Sequence, residues 1–365
     1  MNRLLICGLL FAAMSATAAE RVISNAMAPD LTGDGRGGFA LSWYEPKEKA
    51  VRISILHDGA WSEPMTIAQG DDVKANRADT PIIAVDGNTI VATFAKANGH
   101  GRNVYVTRSN DGGKTWSKPA TPHPTIASEF GFVSVASNGD LIWLDGRGLP
   151  GGEEGKGDMQ FHFTTLKKDG TLAKDETLDG RACDCCPTSM VLVDGRPVVA
   201  YRDRSDAEVR DISIMRRTTQ GWSKPTAVHA DNWTIKGCPV NGPALAARGA
   251  DVVIAWFTGA NDDPRVNVAF SRDGGANFGN PIRVDTGKPT GRVGVAFTGD
   301  DVVVTWLADG ALNARRVSTK GALRTPVRLG EAGGLPRVAA SKDNVAIAFA
   351  AGDSVRFETI ELPRN

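Results

Sequence analysis

Val303-Val304-Thr305-Trp306 is a short, β-branched apolar run closed by an aromatic ring, and the chain repeats it. The pattern returns at Ala40-Leu41-Ser42-Trp43, Val91-Ala92-Thr93-Phe94 and Leu141-Ile142-Trp143. It returns again at Val198-Val199-Ala200-Tyr201, Ile254-Ala255-Trp256 and Ile347-Ala348-Phe349. The aromatics recur at about 43 to 58 residues, which suits four-stranded blades with loops of variable length. A helical core would space its apolar residues by about 3.6, whereas these runs are short and bounded by Gly, Asp or Asn. The expectation is an all-β chain, a seven-bladed β-propeller of four-stranded antiparallel blades with each aromatic wedged between blades.

A second marker follows downstream at Trp61-Ser62-Glu63-Pro64, Trp116-Ser117-Lys118-Pro119 and Trp222-Ser223-Lys224-Pro225. Phe278-Gly279-Asn280-Pro281 and Leu323-Arg324-Thr325-Pro326 are further copies. Proline is tolerated only where no ladder donor is needed, so these segments suit the outer edge of a blade. The last blade has no room for such a segment, and Arg21-Val22-Ile23-Ser24 is the candidate strand to close it. Closure of that kind removes the free ends of an open array. Residues 20–365 are therefore expected to form one propeller domain.

Ser109-Asn110-Asp111-Gly112-Gly113-Lys114-Thr115-Trp116 precedes the second outer marker. At Ser109, Asp111, Gly113, Thr115 and Trp116 it matches the Asp-box, Ser-x-Asp-x-Gly-x-Thr-Trp, of sialidases and related propellers. A drifted copy runs from Ser271 through Asp273 and Gly275 to Phe278. The chain thus resembles the sialidase superfamily of Asp-box, or BNR-repeat, propellers over nearly its whole length. In that family the Asp-box is a structural hairpin turn, with Asp accepting backbone N–H groups and Gly at positive φ. It lies on the face opposite the active site. Function is then expected on the other face, in the loops between second and third strands and the links between blades.

The family's sialidases use a tyrosine nucleophile from late in the chain and an Arg-Ile-Pro motif in the first blade. Here the tyrosines are Tyr44, Tyr105 and Tyr201, and Arg-Ile-Pro is absent. Most sialidases also have six blades, the alternative count. The resemblance thus implies the scaffold more than the reaction. The residue types leave Tyr201 with Glu208 as a substitute nucleophile pair, and Asp79 and Asp145 as unpaired acids, for a glycoside hydrolase with a reorganised site.

Three segments map to the functional face. They are Arg181-Ala182-Cys183-Asp184-Cys185-Cys186-Pro187-Thr188, Lys236-Gly237-Cys238-Pro239-Val240-Asn241-Gly242-Pro243, and the charged loop Tyr201 to Asp211. Arg77, Arg147, Arg202, Arg204, Arg210, Arg292 and Arg337, with Asp211 and Asn241, are the ligand candidates, because guanidinium forks match carboxylates bidentately. Cys183, Cys185, Cys186 and Cys238 are an even set, for which disulfides are the default in an oxidising compartment. One bridge is expected from the cluster to Cys238, with a remaining pair inside the cluster, for instance the vicinal Cys185–Cys186. A redox role, or a thiolate site for copper(I) or zinc, is the competing reading; Cys-x-Cys-Cys matches no common zinc spacing. No cofactor is otherwise expected.

Arg3, the apolar stretch Leu4 to Met14 and Ala16-Thr17-Ala18 read as a signal peptide over residues 1–19. A periplasmic or secreted chain is expected, not a membrane-inserted one. The 42 basic residues balance 42 acidic ones, so nothing favours nucleic acid. A monomer is expected, binding an anionic ligand whose glycan origin the resemblance implies. A protein partner is the other binding reading.

Overall fold

Apolar runs that alternate with Gly- and Asp-rich turns form strands, and the strands pair with their sequence neighbours into seven antiparallel sheets. The computed structural model describes residues 20–99, 101–149, 157–342 and 344–363; residues 1–19, expected to be a signal peptide, lie outside the described residues. The inner strands are Met27–Gly33, Ile83–Asp86, Phe130–Val135, Ser189–Val193, Ala244–Arg248, Pro289–Thr298 and Gly333–Ser341. Each pairs with a second strand that carries the aromatic run, such as Asp301–Ala308 in blade six. The chain is thus a seven-bladed propeller. No helix among the described residues is long and apolar enough to cross a membrane.

Every repeated aromatic packs against the preceding blade. Trp306 clusters with Val266 and Val268 of blade five, and Trp256 with Ile212 and Ile214 of blade four. Trp143 packs on Val104 and Val106, Phe349 on Leu307 and Leu312, and Phe94 on Tyr44 and Val51. Across the ring closure, Trp43 meets Ala346 and Phe357. These contacts, with a few isolated bridges such as Ala182 with Asp203, join one blade to the next. Large buried aromatics supply the apolar area such seams need.

The outer strands are short and differ from blade to blade. Ala60–Trp61 and Met65–Gln69 flank the proline of blade one, whereas in blade two Ser117 exchanges hydrogen bonds with Arg108 and Ala120, just past the proline, makes an isolated bridge with Val106. In blade seven the outer position is filled by Glu20–Ser24, antiparallel to Ser354–Ile360 with Glu20 opposite Glu358. Arg21 ties this strand to blade one through the Ser54 hydroxyl at 2.8 Å and the Trp61 ring.

The Ser109–Trp116 turn is a closed hydrogen-bond unit. Asp111 accepts from the Thr115 N–H at 2.9 Å and from its hydroxyl at 2.6 Å, while the Gly113 N–H donates to Ser109 Oγ. The Thr115 hydroxyl and N–H, together with Ser109, hold the Asp111 carboxyl down to about 2. Gly113 has φ of +89°, and a Cβ there would stand 2.2 Å from Met65 Sδ, so glycine is required. In the drifted copy Asn277 takes the threonine's part, donating to Asp273 through backbone and side chain. The Gly112 N–H bonds to Asn88, in the hairpin between the first two strands of blade two, which places the turn at the far end from the inner-strand starts.

Candidate functional site

The seven inner strands surround a central channel of about 370 Å³. Small and apolar residues such as Ala244, Val295 and Ala339 make most of its wall. Near the starts of the strands, polar groups interrupt it: Asp30, Thr188, Arg292 and Arg337. Asp30 Oδ1 lies 3.1 Å from Arg337 Nε, and its Oδ2 accepts from the Ile83 N–H at 2.9 Å. Arg337 also donates to the Thr80 hydroxyl at 2.8 Å. Burial pushes the Asp30 carboxyl up from its ordinary range, and Arg337 only partly opposes this.

Arg292 is different. Its backbone sits in the left-handed region at φ +58°, a conformation that costs a bulky residue on the order of 1–3 kcal/mol. Asn241 holds it there, accepting from the Arg292 N–H at 2.8 Å and donating to the Thr290 carbonyl at 3.1 Å. The guanidinium donates to the Val240 carbonyl, and burial pulls its pKa down. Among the described residues no carboxylate forms an ion pair with it. A recess of about 100 Å³ adjoins the channel, lined by Asp79, Phe132 and Arg337 among others.

Beside this mouth the links into blades four and five are clamped together. Cys185 is bridged to Cys238, as the expected cluster-to-Cys238 link requires. The vicinal Cys185–Cys186 bridge is corrected: Cys185 is already committed, and Cys183 and Cys186 are buried thiols with their sulfurs 3.3 Å apart. The Cys186 thiol beside it, then the Cys185 N–H and the Arg202 and Arg210 charges, lower the Cys183 pKa against the effect of burial. Burial and that neighbouring sulfur raise Cys186.

Three of the seven arginines expected at a ligand serve the clamp instead. Arg202 is 1% exposed, and its guanidinium donates to the Asn241, Arg210 and Phe257 carbonyls over the Trp233 ring. Arg210 donates to Gly237 O, to Glu208 and toward Cys183 Sγ at 3.4 Å. Arg204 bridges Glu208 and Asp184, and Asp211 accepts the Asn232 and Trp233 N–H groups. Arg147 is held by Asp145 and Asp175. Arg77 is exposed beside Gly334. Only Arg292 and Arg337 of the expected set line the channel.

The expected catalytic residues are corrected in the same way. Tyr201 is fully buried against Phe161 and donates its hydroxyl to Asp179. Burial, with Asp203 and Asp179 nearby, drives its pKa far up, so it is no nucleophile for a ligand at the mouth. Glu208 points to Arg204 and Arg210, whose guanidiniums hold it down to about 2. Asp145 is buried and accepts from the Trp143 indole and three Arg147 N–H groups; burial alone would raise it, but these bonds leave it lowered. Asp79 faces the recess but is paired with Arg102 at 3.0 Å. The residue that sequence reasoning missed is Asp30. Its only signal is an acid directly after proline in the otherwise apolar start of blade one, Met27-Ala28-Pro29-Asp30-Leu31.

A family model described as "BNR repeat-like domain" matches residues 46–232, just over half of the chain. No curated protein matches the chain in sequence. Among solved structures, a PL25 ulvan lyase bound to -[GlcA(1-4)Rha3S]- shares 15% identity, over 94% of this chain and 98% of that one, with a TM-score of 0.56. The polysaccharide lyase Uly1 is 12% identical over 91% and 90%, with a TM-score of 0.53. A variant of the NanB sialidase from Streptococcus pneumoniae is 10% identical over 89% and 83%, with a TM-score of 0.50. At these identities the likeness concerns the fold. Seven blades, the hydrogen-bonded Ser109–Trp116 turn and the family match agree, and the chain belongs to the BNR repeat-like domain family.

Proposed function

We propose that this propeller binds an anionic, glycan-derived ligand through a carboxylate at the inner-strand end of its central channel. The observation that carries this reading is Arg292: an arginine of the channel lining, held in a strained backbone, its guanidinium bonded to a carbonyl and ion-paired with no carboxylate among the described residues. A half-buried cation without a counter-ion is less well solvated than one in water, and a carboxylate ligand compensates with charge-assisted hydrogen bonds. Arg337 and Thr80 extend the polar arc into the adjoining recess. The ulvan lyase that shares the fold is solved with a saccharide. We place the protein in the periplasm or medium, as a monomer, on the leader and composition alone.

A hydrolase reading is carried by Asp30, a channel carboxyl whose pKa burial raises, which is what a general acid needs. The test is calorimetric titration with N-acetylneuraminic acid and glucuronic acid, against glucose as the neutral control. Binding of the acids alone is expected, weakened about 10- to 100-fold in Arg292→Met, the loss for a charged hydrogen-bonded pair. Equal binding of glucose, or an unaffected variant, would overturn the assignment. For hydrolysis, aryl glycosides of the same sugars should turn over, and Asp30→Asn should stop them.

A further inference from the structure

We propose that Cys183 and Cys186 form a redox-active dithiol that exchanges electrons with an external disulfide by way of the surface bridge Cys185–Cys238. The pair has Cys-x-x-Cys spacing, and the two sulfurs lie 3.3 Å apart. The sulfurs of Cys183, Cys185 and Cys186 all lie within 4.8 Å of one another, so the dithiol touches one half of the bridge. The other half, Cys238, is exposed, whereas both thiols are buried. An external reactant therefore meets the bridge first.

The surroundings favour a thiolate at Cys183. Arg202 is buried on three carbonyls and forms no ion pair with a carboxylate among the described residues, and Arg210 reaches to 3.4 Å from Cys183 Sγ. Arg292 lies near Cys186 from the channel side, placed to favour a thiolate there once the proton has left. Three guanidiniums around two sulfurs oppose a metal cation and stabilise the nucleophilic form of a thiol. That weighs against a copper or zinc site here, since Cys185 is also spent on the bridge.

The exchange balances within the chain. The Cys183 thiolate attacks Cys185 Sγ; the Cys185–Cys238 bond breaks, and Cys238 leaves with the electron pair and takes a proton from solvent. Burial and the charge of Cys183 keep Cys186 protonated; with Cys183 now uncharged the second of these is gone, and Cys186 gives its proton to the Cys238 side of the site and so to solvent. It attacks Cys183 Sγ, forming the Cys183–Cys186 bond and expelling Cys185 as a thiolate. An external disulfide then reoxidises Cys185 and Cys238 and departs as two thiols. In sum, one external disulfide is reduced and the buried dithiol oxidised, a two-electron, two-proton change.

The experiment uses the chain from Glu20 onward, purified under reducing and then oxidising conditions. Glutathione disulfide serves as the small reactant and oxidised thioredoxin as the protein-borne one. Alkylation and peptide mass spectrometry follow each bond with time. Reversible formation of Cys183–Cys186 is expected across millimolar glutathione mixtures, with the mixed disulfide trapped at Cys238. Cys238→Ser should slow oxidation of the pair at least on the order of tenfold, because the relay is lost. The faster of the two reactants identifies the source. A pair that stays bridged in reduced glutathione is a structural crosslink, and one that stays reduced with either disulfide is inert; both outcomes overturn the proposal. So does an unchanged rate in Cys238→Ser. If that variant fails to fold, the position of the trapped adduct in the unmodified chain decides: at Cys183 or Cys186 first, the relay is wrong.

Discussion

Replacing Arg202 by methionine tests whether this arginine binds a blade seam or a ligand. Methionine keeps the length of the side chain and removes the donors. Three acceptors lose their partner at once: the Arg210 carbonyl of blade four, and the Asn241 and Phe257 carbonyls at the entry and second strand of blade five. Each orphaned buried carbonyl costs about 1–3 kcal/mol. Relief from burying the charge, and some hydration of the freed carbonyls, offset part of this. The sum is about 3–5 kcal/mol, in the range for breaking a buried charged contact from one side. Against a typical stability of about 5–15 kcal/mol that is a large fraction. Urea unfolding followed by tryptophan fluorescence measures it, with Arg272→Met, at an exposed pair with Asp251, as a control expected within about 0.5 kcal/mol. A loss for Arg202→Met no larger than the control's would refute the reasoning. So would intact stability combined with lost binding of acidic sugars.

Trp306→Ala removes a wedge between blades five and six and should cost about 3–5 kcal/mol by calorimetry or denaturant; a loss below about 1 kcal/mol would show that the seam holds without it. Because Arg204 and Arg210 hold the folded Glu208 carboxyl near 2, below the unfolded value of about 4.3, its contribution is present above that value and is lost as pH falls toward about 2. Glu208→Gln should flatten this part of the urea midpoint-against-pH curve, and parallel curves would contradict the assignment. Asp111→Ala should speed amide exchange at Gly113 and Thr115 without changing channel binding, as a turn at the far end predicts. Deleting residues 20–24 bares the Ser354–Ile360 edge, so light scattering should show self-association that the intact chain lacks.

The blades were legible because their signal is periodic: an aromatic closing each second strand must recur wherever a seam must be filled. Turn chemistry was legible too, even in the drifted copy, since Asn277 offers Asp273 the donors that Thr115 offers Asp111. The loops of the site could be found from the strand order. Which side chain faces the channel could not, because neighbouring residues of a strand point to opposite faces. Arg202 and Arg292 look alike in sequence, yet one is swallowed by carbonyls and the other lines the wall. Asp30 carried no repeat and no motif, and its role comes from the other blades' residues around it. Cysteine count alone allowed three pairings, and only the approach of two links singles out Cys185 with Cys238.

The strand that completes the seventh blade also fixes the order of events in folding. Glu20–Ser24 pairs with Ser354–Ile360, nearly the whole described chain away. Contacts this remote in sequence form late, because the loop entropy is spent before they repay it. At about 5–20 residues per second, the first strand waits on the order of tens of seconds for its partner to be synthesised. During that time its donors and acceptors have only foreign edges to meet, and the seventh sheet remains three strands wide. The ring is therefore a structure that no growing chain can close early, and its earliest strand is the last to find its place.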